Sequence, residues 1–162
     1  MVMKIGVFVH SQTGNTAKLG LAVVHALREK GHDVAIELLR PARRVNPGSK
    51  NVEFRNLPDA ARFEAVLFGG PIWAHNVSPV IASAITQISG LKGKKTLFFL
   101  TSFFPPSLSG CKRSQAAVRS LLEESGASVL EGESLSWGFW CGRKRLESAA
   151  ARICERVTGI SG

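Results

Sequence analysis

Short, nearly continuous apolar runs at Ile5 to Val9, Ala65 to Phe68 and Thr96 to Leu100 alternate with longer stretches in which apolar residues return every third or fourth position. The runs predict buried strands and the stretches predict amphipathic helices. From Thr16 to Lys30, Leu19, Ala22, Val23, Ala26 and Leu27 form one helical stripe that Gly31 ends. Ser78-Pro79, an N-cap followed by a first-turn proline, opens a second helix striped with Ile81, Ala84, Ile85 and Ile88. Ala117, Val118, Leu121 and Leu122 mark a third helix ending near Gly126, and Leu146, Ala149, Ala150, Ile153 and Val157 mark the last. Asp33 to Leu39 and the weaker Ser128 to Leu135 complete a set of five strands. The connection from Arg40 to Pro58 is basic, broken by proline and glycine, and without a helical stripe, so any helix in it is short.

Strands alternating with helices predict an α/β fold: a doubly wound sheet of five parallel strands with right-handed crossovers and helices on both faces. With 162 residues, 44% of them hydrophobic, the chain has material for one well-buried core, so residues 1–162 are read as a single domain. In open sheets of this kind ligands sit beyond the carboxyl ends of the strands, where the strand order reverses. That rule selects three loops: Ser11 to Thr16, Gly69 to Ser78 and Thr101 to Cys111.

The first loop, Ser11-Gln12-Thr13-Gly14-Asn15-Thr16, joins a strand to a helix N-terminus. Free backbone N–H groups there, backed by the helix dipole, attract a phosphate, and three hydroxyls and an amide can donate to its oxygens. The Gly-Lys-Ser/Thr ending of an NTP-binding loop and the Gly-x-Gly-x-x-Gly of a dinucleotide turn are both missing, so a monophosphate fits better. An ordinary capped turn has the same composition. The other two loops carry Ile72, Trp73, His75, Phe103, Phe104 and paired prolines with no Asp, Glu, Lys or Arg, which suits a flat aromatic ligand with a phosphate tail.

Charge narrows the partners only slightly. Twenty-one Lys and Arg against 12 Asp and Glu give a net charge of +9. Such a surface draws in nucleic acid, anionic lipid, acidic protein or a phosphorylated cofactor. Residues 65 to 91 hold no charged side chain, yet glycine, proline, His75 and Asn76 interrupt them too often for a membrane helix. Met1-Val2-Met3-Lys4 runs straight into the first strand without the pattern of a secretory signal, and a cytoplasmic location is expected. Cys111, Cys141 and Cys154 are too widely spaced for a disulfide framework or a four-ligand zinc site, and free thiols are expected. Cys111, at a helix start beside Lys112 and Arg113, is read as a small loop residue with no redox duty, with a reactive thiol as the alternative.

Ser11-x-Thr13-Gly14-Asn15-Thr16 after the first strand and Gly69-Gly70-Pro71-x-Trp73 after the third resemble the flavodoxin-like FMN-binding proteins, in the short-chain form. The resemblance implies the sheet order 2-1-3-4-5 and FMN as noncovalent cofactor. It puts Ser11, Thr13, Asn15 and Thr16 forward as phosphate donors, with the Gln12 backbone N–H and the Gly14 turn. The flavin ring would lie between Pro71, Ile72, Trp73, Ala74, His75 and Asn76 on one side and Thr101, Ser102, Phe103, Phe104 and Gly110 on the other. Trp73 stands where the family often packs an aromatic on the ring, and Phe103 or Phe104 covers the opposite side. His75 is the candidate for donating to the flavin or to a substrate.

The chain also departs from the family's electron carriers. Those are typically acidic around the flavin and usually have a tyrosine ring cover, whereas this chain is basic and has no Tyr. The departure favours two-electron chemistry with NAD(P)H and a small acceptor such as a quinone. The alternatives are a carrier docking to an acidic partner, and a flavin-free binding module on the same fold. The basic residues Arg40, Arg43, Arg44, Lys50 and Arg55 offer a docking patch for an acidic redox partner or for the extra phosphate of NADPH. Nucleic acid fits less well, because only Phe54 interleaves the charges. Trp137 and Trp140 after the last strand are assigned to a sheet edge, a subunit contact or the flavin mouth. A low-molecular-weight phosphatase is set aside because its loop needs Cys and Arg, and a receiver domain because the strand ends lack an acidic metal pocket.

Overall fold

The computed structural model describes residues 1–138 and 142–159. Trp140 and Cys141 lie outside the described residues. In chain order the elements are β1 (Lys4–Val9), α1 (Asn15–Glu29), β2 (Asp33–Leu38), β3 (Arg40–Pro41) and β4 (Phe54–Asn56). A 3-10 turn (Ala60–Arg62) precedes β5 (Ala65–Trp73), β6 (Asn76–Val77), α2 (Pro79–Gln87) and β7 (Lys95–Ser102). The chain continues through α3 (Pro106–Ser109), α4 (Cys111–Glu124), β8 (Ser128–Val129), β9 (Glu133–Ser136) and α5 (Arg143–Thr158).

The main sheet runs β2-β1-β5-β7, with β8 and β9 both pairing to β7, and every one of these pairings is parallel. This is the order predicted from the sequence. Period-two alternation sends successive strand residues to opposite faces. Ile5, Val7, Val9, Leu67, Leu97 and Phe99 face α1 and α5, whereas Phe8, Val66, Phe68, Phe98 and Leu100 face α2 and α4. Two buried layers result, one on each side of the sheet.

Two details differ from the sequence reading, and a third fills in a connection that the reading left open. The third strand does not stop at Phe68: β5 continues through Gly69-Gly70-Pro71 to Trp73. The two glycines are there for close packing. A Cβ on Gly69 would lie 2.1 Å from the Phe99 ring and one on Gly70 would lie 2.3 Å from Ile81 Cγ1. Gly69→Ala is therefore expected to destabilise the protein by about 1–3 kcal/mol through overpacking, read as a lowered urea midpoint with unchanged slope.

The weak Ser128 to Leu135 strand is split. Between Val129 and Glu133 the chain spends one more residue than β7 does between Thr96 and Phe99, the count of a β-bulge, and Gly132 sits there against the Phe98 ring. Arg152 and Arg156 then hold Glu133, tying β9 to α5. Finally, residues 40–58 form a two-stranded antiparallel ribbon, β3 with β4, and no α-helix. Leu39 and Val52 are buried, and Val52 is bonded to Ser83 and Gln87 of α2, so the ribbon is fixed to the body.

Candidate functional site

The turn after β1 is shaped by Ser11. Its Oγ accepts from the backbone N–H of Gly14 at 3.1 Å and of Ala17 at 3.2 Å, taking over the capping that Gly14, at φ 91°, has no side chain to perform. The hydroxyl hydrogen of Ser11 is left for an outside acceptor. Among the described residues nothing accepts from the backbone N–H groups of Gln12, Thr13, Asn15 and Thr16, and no acidic residue lies in the first turn of α1. Four open donors at the positive end of a 15-residue helix make an anion cradle. A Cβ at Gly14 would meet nothing within 4 Å, so the cradle is open on that side.

Thr16 joins this turn to the end of β7. Its hydroxyl and that of Thr101, both buried, share a 2.6 Å hydrogen bond, and because one hydrogen serves that bond the second is available to a ligand. The end of β5 turns back as a hairpin, with Ile72 and Trp73 paired to Val77 and Asn76. Ala74 and His75 form its tip with φ of 47° and 64°, left-handed values at both central positions, as a tight hairpin turn requires. Gly110 braces the hairpin: it sits at φ 74°, and a Cβ there would come within 2.2 Å of the His75 carbonyl oxygen.

The last strand closes the site. The Trp137 backbone N–H donates to Ser102 O at 2.7 Å, Gly138 N–H to Phe103 O at 3.0 Å, and the Ser136 hydroxyl to Phe104 O at 2.9 Å. Phe103 and Phe104 pack edge to face with centroids 5.3 Å apart, each 54% exposed. The result is a cleft of about 160 Å3 lined by Gln12, Thr13, Asn15, Thr16, Pro71, Ile72, Trp73, Thr101, Ser102, Phe103 and Trp137. Among the described residues no charged side chain lines it. Lys18 Nζ stands 5.9 Å from the Trp137 ring centroid, and Trp137 Nε1 is buried with no acceptor among the described residues.

Most residues predicted for the site thus converge. Ala74, His75 and Asn76 stand exposed at the hairpin and outside the cleft lining; Ser11, Gly14, exposed Phe104 and half-buried Gly110 also fall outside the lining, in the loops around it. Cys111 is buried, its thiol donating to Ser134 Oγ at 3.1 Å.

His10 escapes the sequence reading. It ends the apolar run of β1, and its ring lies under Trp73, edge on, with centroids 5.2 Å apart and Nδ1 2.9 Å from Ser78 Oγ. Burial lowers its pKa to about 4, so the ring is neutral at pH 7. A polar residue at the end of an apolar strand, directly before the turn, is the one signal that could have marked it.

No protein-family model matches the sequence, and no curated protein matches it. Solved structures do. The flavodoxin of Streptococcus pneumoniae TIGR4 superposes with a TM-score of 0.69 at 14% identity, covering 96% of this chain and 98% of its own. Oxidised flavodoxin 1 from Bacillus cereus gives 0.69 at 18% identity, covering 98% and 99%. A flavoprotein from Lactobacillus acidophilus NCFM in complex with FMN gives 0.61 at 14% identity, covering 82% and 93%. With TM-scores of 0.61 to 0.69 over 82% or more of this chain and 93% or more of each neighbour, this chain has the flavodoxin-like fold.

Proposed function

We propose that this single-domain protein binds FMN in the cleft at the carboxyl end of the sheet and acts as a redox protein. The observation that carries the reading is the set of four unpartnered backbone donors at the start of α1, facing a charge-free cleft walled by aromatic side chains. The phosphate would sit on the N–H groups of Gln12, Thr13, Asn15 and Thr16, with the hydroxyls of Ser11, Thr13 and Thr16 donating to its oxygens. At about 160 Å3 the cleft is smaller than the about 300–1,000 Å3 usual for an enclosed ligand, so it takes the phosphate end and one edge of the ring. Trp73, Phe103 and Trp137 are placed to cover the remainder. A ligand oxygen would also satisfy the indole N–H of Trp137, which is costly to leave buried and unpaired. The Lactobacillus acidophilus flavoprotein, solved with FMN, has the same fold.

Bound FMN supplies one- or two-electron redox chemistry, and the protein orients it. The finer reading is an oxidoreductase that takes electrons from NAD(P)H or a reductase and passes them to a small acceptor such as a quinone. Its support is electrostatic. Among the described residues no carboxylate lines the cleft, and each one absent removes on the order of 1 kcal/mol of repulsion on a negatively charged flavin ring at ~10 Å. Protons would come from solvent, because His75 lies outside the cleft lining.

Titration of flavin-stripped protein into FMN, with riboflavin in parallel, tests the site. Because charge-assisted hydrogen bonds to phosphate each contribute about 1.5–3 kcal/mol, FMN is expected to bind about a hundredfold tighter than riboflavin. Equal quenching of both flavins rules out the phosphate cradle, and no quenching leaves a binding module on this fold. Steady-state NAD(P)H oxidation by the holoprotein then separates an enzyme from a carrier.

A further inference from the structure

The redox reading leaves one large feature unused, the β3–β4 ribbon. Between residues 40 and 56 stand five cations, Arg40, Arg43, Arg44, Lys50 and Arg55, against the single carboxylate of Glu53. All five are exposed. Only Arg43 is paired, to Glu53 at 3.9 Å with both side chains largely in solvent, a contact that contributes little. Among the described residues, Arg40, Arg44, Lys50 and Arg55 have no ion-pair partner. The ribbon is nevertheless held in place by buried Val52 and its bonds to α2, so its charges are displayed on a fixed frame.

The charges are spread over two hollows. One, of about 220 Å3, is lined by Arg43, Arg44 and Lys50 among others. The other, of about 530 Å3, lies where the ribbon meets β2, with Arg40 and Arg55 facing Ile36 and Leu38. Leu38 is 48% exposed at the end of an edge strand that pairs only with β1. Glu37 is the one acid lining this groove, outnumbered by the two arginines. A lone phosphate would engage one hollow at a time, whereas a protein surface spans both.

We propose that the β2 edge and the β3–β4 ribbon form a docking surface for an acidic protein segment, with its carboxylates on the five cations and an apolar side chain over Ile36 and Leu38. Position adds to charge. Leu38 pairs with Val9, two residues before Ser11, so the ribbon leaves the sheet at the same end as the cleft. An acidic partner steered there by the positive field arrives beside the site of electron exchange. The partner's redox role rests on the FMN reading, whereas the docking itself does not.

The test uses the full chain and a fluorescein-labelled twelve-residue peptide of alternating Glu and Leu, read by anisotropy at low and moderate salt. Arg40→Gln/Arg55→Gln is expected to weaken binding about fivefold, and the charge-matched control Lys144→Gln/Arg145→Gln to leave it within about twofold. Leu38→Ser should weaken it as well without changing the salt slope. Equal losses in the ribbon and control variants would mean attraction by net charge alone and overturn the surface, as would no measurable binding. A single-stranded oligonucleotide of equal charge that binds more tightly, with the same loss in the ribbon variant, would make it a nucleic-acid surface instead. Anisotropy reads the peptide whether or not flavin is bound, so failure here and failure of FMN binding are separate results.

Discussion

Gly110→Ala is expected to lower stability by about 3 kcal/mol and to weaken FMN binding at the same time. Two independent effects add. The residue sits at φ 74°, where a side chain costs about 1 kcal/mol or more, and its new Cβ would meet the His75 carbonyl oxygen at 2.2 Å. That neighbour is backbone, so it cannot swing aside as a flexible side chain would. Either the Trp73–Asn76 hairpin or the start of α4 must move, and the hairpin carries Trp73 into the cleft. Urea unfolding and FMN titration of the variant are the measurements. A drop in stability with unchanged FMN affinity would show that the loop relaxes on the α4 side and that the hairpin is not positioned by this contact.

Acidification is expected to remove about 3 kcal/mol through His10 alone. The folded pKa, about 4, lies below the ordinary value of 6.5 that the unfolded chain retains, because burial disfavours the charged ring. Between those values the unfolded state binds a proton that the folded state refuses. Stability from this group is therefore complete above pH 6.5, falls as pH drops toward 4, and is flat below. His10→Asn keeps a hydrogen-bonding group beside Ser78 but cannot titrate in this range. The variant should be less stable at pH 7.5 through lost packing under Trp73, and its unfolding free energy should fall less steeply between pH 6.5 and 4. An identical slope in both proteins would assign the acid sensitivity to other groups.

Both effects depend on contacts between segments far apart in sequence, and this marks the boundary between what each level of description decides. The main strands, four helices and the three loops were legible because their signals are local: apolar runs, helical stripes, Gly31 as a stop, and Ser78-Pro79 as a start whose Ser78 hydroxyl does accept from Val80 N–H, whereas the order of the strands in the sheet came from the family resemblance. The first turn was legible for the same reason, since a strand, a hydroxyl-rich turn and a helix N-terminus are consecutive. The ends of strands were not. Gly69 and Gly70 read as the start of a loop, yet they continue β5 because Phe99 and Ile81 fill the space their side chains would need. The single strand expected from Ser128 to Leu135 is split by an extra residue that only the register against β7 reveals.

The site divides in the same way. Thr13, Asn15 and Trp73 could be named from motifs, but the bond between Thr16 and Thr101 spans 85 residues and the pairing of His10 with Ser78 spans 68. No local pattern encodes either. Trp137 had three competing assignments from sequence, and it lines the cleft because its backbone N–H is tied to Ser102. The sequence by itself determined the main strands and helices, their succession along the chain and the composition of the first turn, because hydrophobic periodicity and capping act between near neighbours. Only the tertiary structure decided which side chains line the cleft, which histidine is buried and where the ribbon's charges stand, because those follow from the packing of distant strands and loops against one another.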